Sequence, residues 1–416
     1  MTCVGFRLVL VVALLSGCSA PRVSPESHGV SVAPGACGRG LVVVESDYQS
    51  CNVSLLDFEG QVLSESLASS RTVSAGFGVA LSGDVVTPTS PQDGSEIVLI
   101  DRYPAGVLRF VELTTAHVRA ELSVATGFPS NPQDYLPLTS ARAYVARYNA
   151  NPNPGRQAWD AGGDILVVDP SVPAITGSID LSAALAGERA QFTPHPARLL
   201  NVSGRAFALL AAYADDYKSG TSSRLVELDP ESDSLISTLV LDGLRGCVSL
   251  ALSPDERQLA VSCTGVDLKN GKIQDSGLAL LDIEGAPRLE QRFDAAEFGD
   301  NPLGFAVSYA APGVLLFNTL GHFDQESGEL RALDSLLRLD TVSGQFDELL
   351  QSAGEPFTLG GVQCVPSCGA CFAADAKRSR GSVLRFAIDS TGNFAAPTAI
   401  RAETRVGLPP RYLGVF

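Results

Sequence analysis

Seven times along this 416-residue chain a short apolar run meets an acidic residue, turns, and resumes as a second run. The segments are VSLLDFEGQV, LRFVELTTAHV, ILVVDPSVPAI, RLVELDPESDSL, LALLDIEGAPRL, LLRLDTVSGQF and VLRFAIDSTGNF. Each reads as a strand, a short turn of Asp, Gly, Ser or Pro, and a second strand. Before most of them lies another hairpin, such as YLPLTSARAYVARY, RLLNVSGRAFALLAAY, VSLALSPDERQLAVSC or FAVSYAAPGVLLFNT. Four strands therefore recur every roughly 50–60 residues, a period that points to a stacked or ring-shaped array. The inner hairpins are apolar almost throughout, as strands covered on both faces are.

The two ends complete the pattern. No convincing inner strand precedes GLVVVESD, whereas the closing LPPRYLGVF opens like NPQDYLPL, HPARLLNV and NPLGFAVS, with Pro and then an apolar run. The C-terminal residues are expected to supply the innermost strand of the first unit, closing a ring with no exposed edge. LALSPDERQLAV followed by LALLDIEGAPRL is similar to the YVTN-type β-propeller repeat, an A-x-S-P-D-G-x-x-L-Y-V-A hairpin and then V-x-V-I-D-x-x-T-G-x-V. Glu256 stands where that family has Gly, and Val261 where it often has an aromatic or Val. The resemblance spans about residues 40–416 and implies an all-β, seven-bladed propeller of four-stranded antiparallel blades. It implies little about chemistry, because that fold carries binding proteins, lactonases and quinone enzymes alike.

The N-terminus, MTCVGFRLVLVVALLSGCSA, has one Arg, an apolar run from Leu8 to Leu15 and small residues after it. It reads as a signal peptide over residues 1–17, too short to span a bilayer. LSGC resembles the bacterial lipobox, which implies cleavage before Cys18 and lipid on its thiol, with Ser19 implying an outer-membrane address. Residues 18–39, rich in Pro, Ser and Gly, read as a flexible tether, and residues 40–416 as the ring.

Export places the remaining cysteines where disulfides persist. A hairpin turning at Ser253–Arg257 sets Leu252 opposite Gln258, Leu250 opposite Ala260, and Cys247 opposite Cys263. Directly opposed strand residues are close enough for a cystine. The alternative is a pair of reduced core thiols. In CVPSCGAC a turn over Pro366–Gly369 sets Cys364 opposite Cys371, with Cys368 at the tip. Its C-x3-C-x2-C spacing resembles the radical-SAM iron–sulfur motif, but Ala370 stands where an aromatic is usual. No His joins the cluster for zinc. Cys37 and Cys51 can pair with each other, or one of them with Cys368.

The formal net charge of −16 excludes a nucleic-acid footprint and docking on anionic lipid through a basic patch. No G-x-S-x-G, H-E-x-x-H or P-loop occurs. Function is expected on the face of the long second-to-third-strand loops, NANPNPGRQAWDAGG, ADDYKSGTS, TGVDLKNGKIQDSG and LGHFDQESGELRALDS. Their acids include Asp215, Asp216, Asp267, Asp275, Asp324 and Glu326, but DLKNGKIQD departs from a calcium loop, with Lys269 and Lys272 intruding. The repeat phase places Asp134, His195, Arg198, Arg245, Asn301 and Arg411 at the mouth of the central channel. Three Arg there suit an anionic group, unless they pair with Asp134 and the loop acids. Neither metal nor cofactor is expected, and a monomer is.

Two functions follow from this. The first is a membrane-anchored envelope lipoprotein whose ring binds a protein or an envelope component. The second is a lactonase-like hydrolase at the channel mouth. A quinone enzyme is disfavoured by a single tryptophan, Trp159.

Overall fold

The structure is a computed structural model that describes residues 27–71, 78–92, 94–266, 273–299, 301–324, 326–377, 381–389 and 391–416. The signal segment, Cys18 and Asp267 lie outside these residues. Seven four-stranded antiparallel sheets form the blades of a ring. Blade 1 orders Pro410–Val415, Leu41–Ser46, Cys51–Leu56 and Val62–Ser69 from the channel outward. Blades 2 to 7 follow at 85–123, 132–179, 196–240, 247–294, 303–351 and 359–400. Blade 6 adds a small hairpin, His322–Phe323 with Leu330–Ala332, between its second and third strands.

Burial explains the apolar runs. Every residue of Leu41–Ser46 is buried. Val42 and Val44 pack with Ile97 and Leu99 of blade 2, while Leu41 and Val43 pack with Phe372 and Val383 of blade 7. One strand thus serves two blade interfaces. Outer strands are covered on one side only: Arg288–Asp294 is mostly exposed. Burying each Val or Leu contributes about 1.5–3 kcal/mol, so the interfaces hold the ring.

Buried polar side chains stitch blade to blade. Asp134, wholly buried, accepts the N–H of Thr89 at 2.9 Å and of Leu199 at 2.8 Å, joining the inner segments of blades 2, 3 and 4. Asp334 accepts four N–H groups, those of Gly321, Phe357, Thr358 and Leu359, across blades 6 and 7. Ser276 Oγ accepts the Leu303 N–H at 2.9 Å between blades 5 and 6. Each bond satisfies a backbone donor that the radial arrangement leaves without a ladder partner.

The C-terminal strand closes the ring: Leu41 pairs with Val415 and Val43 with Leu413. Cys37 is bonded to Cys368 in the first turn of blade 7, 331 residues away. Cys247 is bonded to Cys263 and Cys364 to Cys371, while Cys51 is a buried free thiol. The hairpin of Cys247 differs from its sequence reading by one residue: Leu252 faces Leu259 and Leu250 faces Val261. A bulge between Cys247 and Ser249 then restores the pairing of the two cysteines.

The second half of the expected tether is docked. His28 N–H donates to Ser66 O, Val30 N–H to Leu113 O, and Arg39 N–H to Phe416 O. Gly29 lies so close to the Thr114 backbone that an added Cβ would sit 2.1 Å from its carbonyl oxygen.

Candidate functional site

Antiparallel order brings three kinds of connection to one face: the second-to-third-strand loops, the links between blades, and the entries to the innermost strands. Eight aromatic side chains are exposed among the described residues. Tyr48, Tyr103, Trp159, Tyr217, Phe323 and Phe357 belong to connections of this face. Of the other two, Phe305 lies on an innermost strand and Phe346 on an outer one. Both turn types of the opposite face carry none.

A cleft of about 670 Å³ opens on this face across the connections of blades 2, 3 and 4. The connections that frame it are tied together by Arg147, the last residue of the second strand of blade 3, fully buried. The guanidinium donates from Nε to Asp164 Oδ1 at 2.7 Å and from Nη2 to Asp164 Oδ2 at 2.6 Å. The same group donates to Thr126 Oγ1 at 2.5 Å and to the Trp159 carbonyl at 2.6 Å. One planar, always-charged group thus fixes the blade 2–3 link and the long loop of blade 3 together. Within that loop the Asp160 carboxylate accepts the N–H groups of Gly155, Gln157 and Arg156 at 2.7–2.9 Å, which lower its pKa. Asn149 donates to Pro129 O at 2.8 Å and accepts the Tyr217 hydroxyl at 3.0 Å.

The wall toward blade 4 is aromatic. Tyr148 and Tyr217 stack with an interplanar angle of 7°, and the His195 ring lies 4.6 Å from Tyr148 and 5.5 Å from Tyr217. His195 is only 1% exposed and takes φ 49°, an uncommon conformation for a non-glycine residue and one that gathers at functional sites. Its Nε2 lies 2.7 Å from Thr193 Oγ1, and its buried Nδ1 has no well-formed hydrogen bond. Burial lowers its pKa to about 4, against a smaller raising effect of Asp215, so the imidazole is neutral at pH 7.

Of the six residues placed at the channel mouth, Asp134 and Arg198 lie close enough to feel each other, and the others are held by partners of their own. His195 belongs to the cleft. Asp134 is saturated by backbone N–H groups, and burial raises its pKa. Arg198 donates to the Ala197 carbonyl at 2.8 Å and feels Asp134, Arg102 and Tyr412; burial lowers its pKa. Arg245 pairs with Asp275 at 3.0 Å. Asn301 donates to Leu333 O at 2.9 Å, and Arg411 to Phe357 O at 3.0 Å while stacking on Tyr48. Asp324, read as a loop acid, is held by Arg331 at 3.0 Å. Among the described residues no group of three or more His, Cys, Asp or Glu is arranged to hold a metal ion.

Sequence reasoning missed Arg102, Arg147 and the tyrosines. Arg102 joins Asp84, Gln133 and Tyr412 on blades 1 to 3. A signal for the tyrosines existed: SDY, DRY, ARY and AAY place Tyr48, Tyr103, Tyr148 and Tyr213 just beyond the second strands of blades 1 to 4.

No family model matches the chain, and no curated protein does. Solved structures do. The chain is similar to a putative 6-phosphogluconolactonase of Bacteroides fragilis, at 12% identity over 92% of this chain and 99% of that one, TM-score 0.57. It is similar to the periplasmic gluconolactonase of Pseudomonas aeruginosa, at 12% identity over 90% and 98%, TM-score 0.57. It is also similar to the Cps50 (Swd1) β-propeller domain of Myceliophteria thermophila, at 13% identity over 86% and 96%, TM-score 0.54. At these identities the likeness shows the propeller fold alone.

Proposed function

We propose that this seven-bladed propeller is a binding module of the cell envelope, anchored by lipid on Cys18, that engages a protein or envelope component through its long-loop face. The observation that carries the reading is the concentration of exposed aromatic side chains on that face, beside a cleft whose framing connections are tied by Arg147. Rigid aromatics supply contact area at low entropic cost and are enriched at interfaces. The lipobox-like LSGC and Ser19 support an outer-membrane address.

Two experiments test it. Palmitate labelling should occur in the full chain and vanish in Cys18→Ala; labelling that persists removes the anchor. The soluble Cys18→Ala chain should capture a component from envelope extract, and adding Trp159→Ala and Tyr217→Ala should abolish capture. Undiminished capture assigns the binding to another face.

A second reading, a lactonase-like hydrolase, is favoured by the neutral His195 just before the innermost strand of blade 4 and the Arg198 cation three residues on. An unprotonated imidazole can accept a proton from water, and a guanidinium can stabilise the oxyanion of an opening lactone. The shielding of His195 behind Tyr148 and Tyr217 works against it. Under the binding reading, a sugar lactone hydrolyses at its uncatalysed rate. Turnover that disappears in both His195→Gln and Arg198→Ala would replace that reading.

A further inference from the structure

We infer that the cleft between the blade 3 and blade 4 loops is a subsite for a neutral, hydroxyl-rich ligand, a single sugar residue of an envelope glycan. The inference rests on the long-loop face being the binding face and names what that face recognises.

The groups that build the cleft differ from the groups left open in it. Asn151 and Asp160 spend their polar atoms on the loop itself, and Asn149 spends its own on Pro129 and Tyr217 of the neighbouring connections. Asn153, Arg156, Gln157 and Asp215 line the cleft and make no side-chain hydrogen bond among the described residues. Two amides, a carboxylate and a guanidinium offer the mix of donors and acceptors that vicinal hydroxyls need. Next to them lies His195, buried against Tyr148 and Tyr217. Beside them stands Tyr217, 46% exposed, its ring backed by Tyr148 and its hydroxyl held by Asn149. A sugar ring has an apolar C–H face and a polar rim, and this wall and these groups match the two halves.

Other ligand classes fit less well. A strongly anionic ligand would meet one cation, Arg156, against the carboxylates of Asp160 and Asp215 in a protein of net charge −16. A metal ion lacks three convergent ligands among the described residues. A purely apolar ligand would leave the open amides and Asp215 unpaired.

The test is calorimetric titration of the full-length Cys18→Ala chain with maltose and N-acetylglucosamine, and with gluconate as the anionic comparison. At least one neutral saccharide should bind in the millimolar range or tighter. Tyr217→Ala and Asp215→Ala should weaken it at least tenfold, and Tyr217→Phe, which keeps the ring, by much less. Val342→Glu, on the opposite face, should leave it unchanged. Melting curves check that each variant folds. Absence of saccharide binding, tighter binding of gluconate, or indifference to Tyr217→Ala overturns the subsite. If envelope capture still depends on Trp159 and Tyr217 when saccharide binding is absent, only the sugar inference fails. If capture is also indifferent to both residues, the binding face itself is wrong.

Discussion

His195 and Glu45 set opposite pH slopes on stability. The His195 pKa falls to about 4 in the folded ring, below its ordinary 6.5. Between those values the unfolded chain binds more protons, so stability is present above the ordinary value and drains away as pH falls. The loss is on the order of 3 kcal/mol, from 1.36 kcal/mol per pKa unit. His195→Gln should flatten the fall in melting temperature between pH 7 and pH 4.5; an unchanged fall would show that the imidazole titrates freely. Glu45 works in reverse. Its carboxyl is buried with Asn52 and Ser54 as donors and Glu403 nearby, and burial raises its pKa well above the usual carboxylate range. The folded chain then binds more protons, and stability declines as pH rises from the ordinary carboxylate range toward that raised value. Glu45→Gln should remove this decline, measured by melting between pH 5 and pH 8. The repeat phase located His195 at the entry to the innermost strand of blade 4, and there it lies. Its partners Tyr148 and Tyr217 come together through loop packing between two blades, which periodicity does not report.

At the scale of the element, the disulfides separate two sources of stability. Cys247–Cys263 closes a loop of sequence separation 16, and Cys37–Cys368 one of 331. Chain-entropy reasoning assigns about 3 kcal/mol to the short loop and about 6 kcal/mol to the long one. Replacing both cysteines of a pair by Ser should therefore lower the denaturation midpoint more for Cys37–Cys368 than for Cys247–Cys263; the reverse order would mean that the long bridge adds nothing to a ring already closed by its strands. The pairing of Cys247 with Cys263 was readable from the Ser-Pro-Asp-Glu turn. The register between was not, since a strand buried on both faces lacks the alternation that pins register, and the bulge near Val248 absorbs one residue. Asp134 was read as a channel-mouth ligand because its position in the repeat is right. Its actual task, capping inner-strand N–H groups of its neighbours, depends on contacts between blades that no single segment displays.

For the whole molecule, closure decides whether the ring exists. Without Pro410–Val415, blade 1 would present Leu41–Ser46 as a bare, apolar inner edge. Deleting residues 409–416 should yield a chain that aggregates or melts far below the full ring, checked by light scattering and calorimetry; an unaltered melt would show that the strand is dispensable. The seven hairpins and the closing phase were legible because each blade repeats the same burial demand. Blade 2 was the weak unit: its innermost strand is only Val85–Val86, too short to carry a pattern. The docked course of residues 28–39 was hidden for another reason, since Ser, Pro and Gly describe a free tether and a strap equally well.

That strap has a mechanical meaning. The chain reaches the ring over the third-to-fourth-strand turn of blade 2, beside Thr114, and is bolted at Cys37 to the first turn of blade 7. Both turns lie on the side away from the cleft. A pull on the N-terminus first strips the shallow contacts of His28 and Val30, then loads the covalent bolt, and never reaches the seam between Leu41–Ser46 and Pro410–Val415 while the bolt holds. Reducing the bolt turns the same pull into a zipper force on that seam. Drawn from its N-terminus in an optical trap, the oxidised ring should survive loads that open the reduced one.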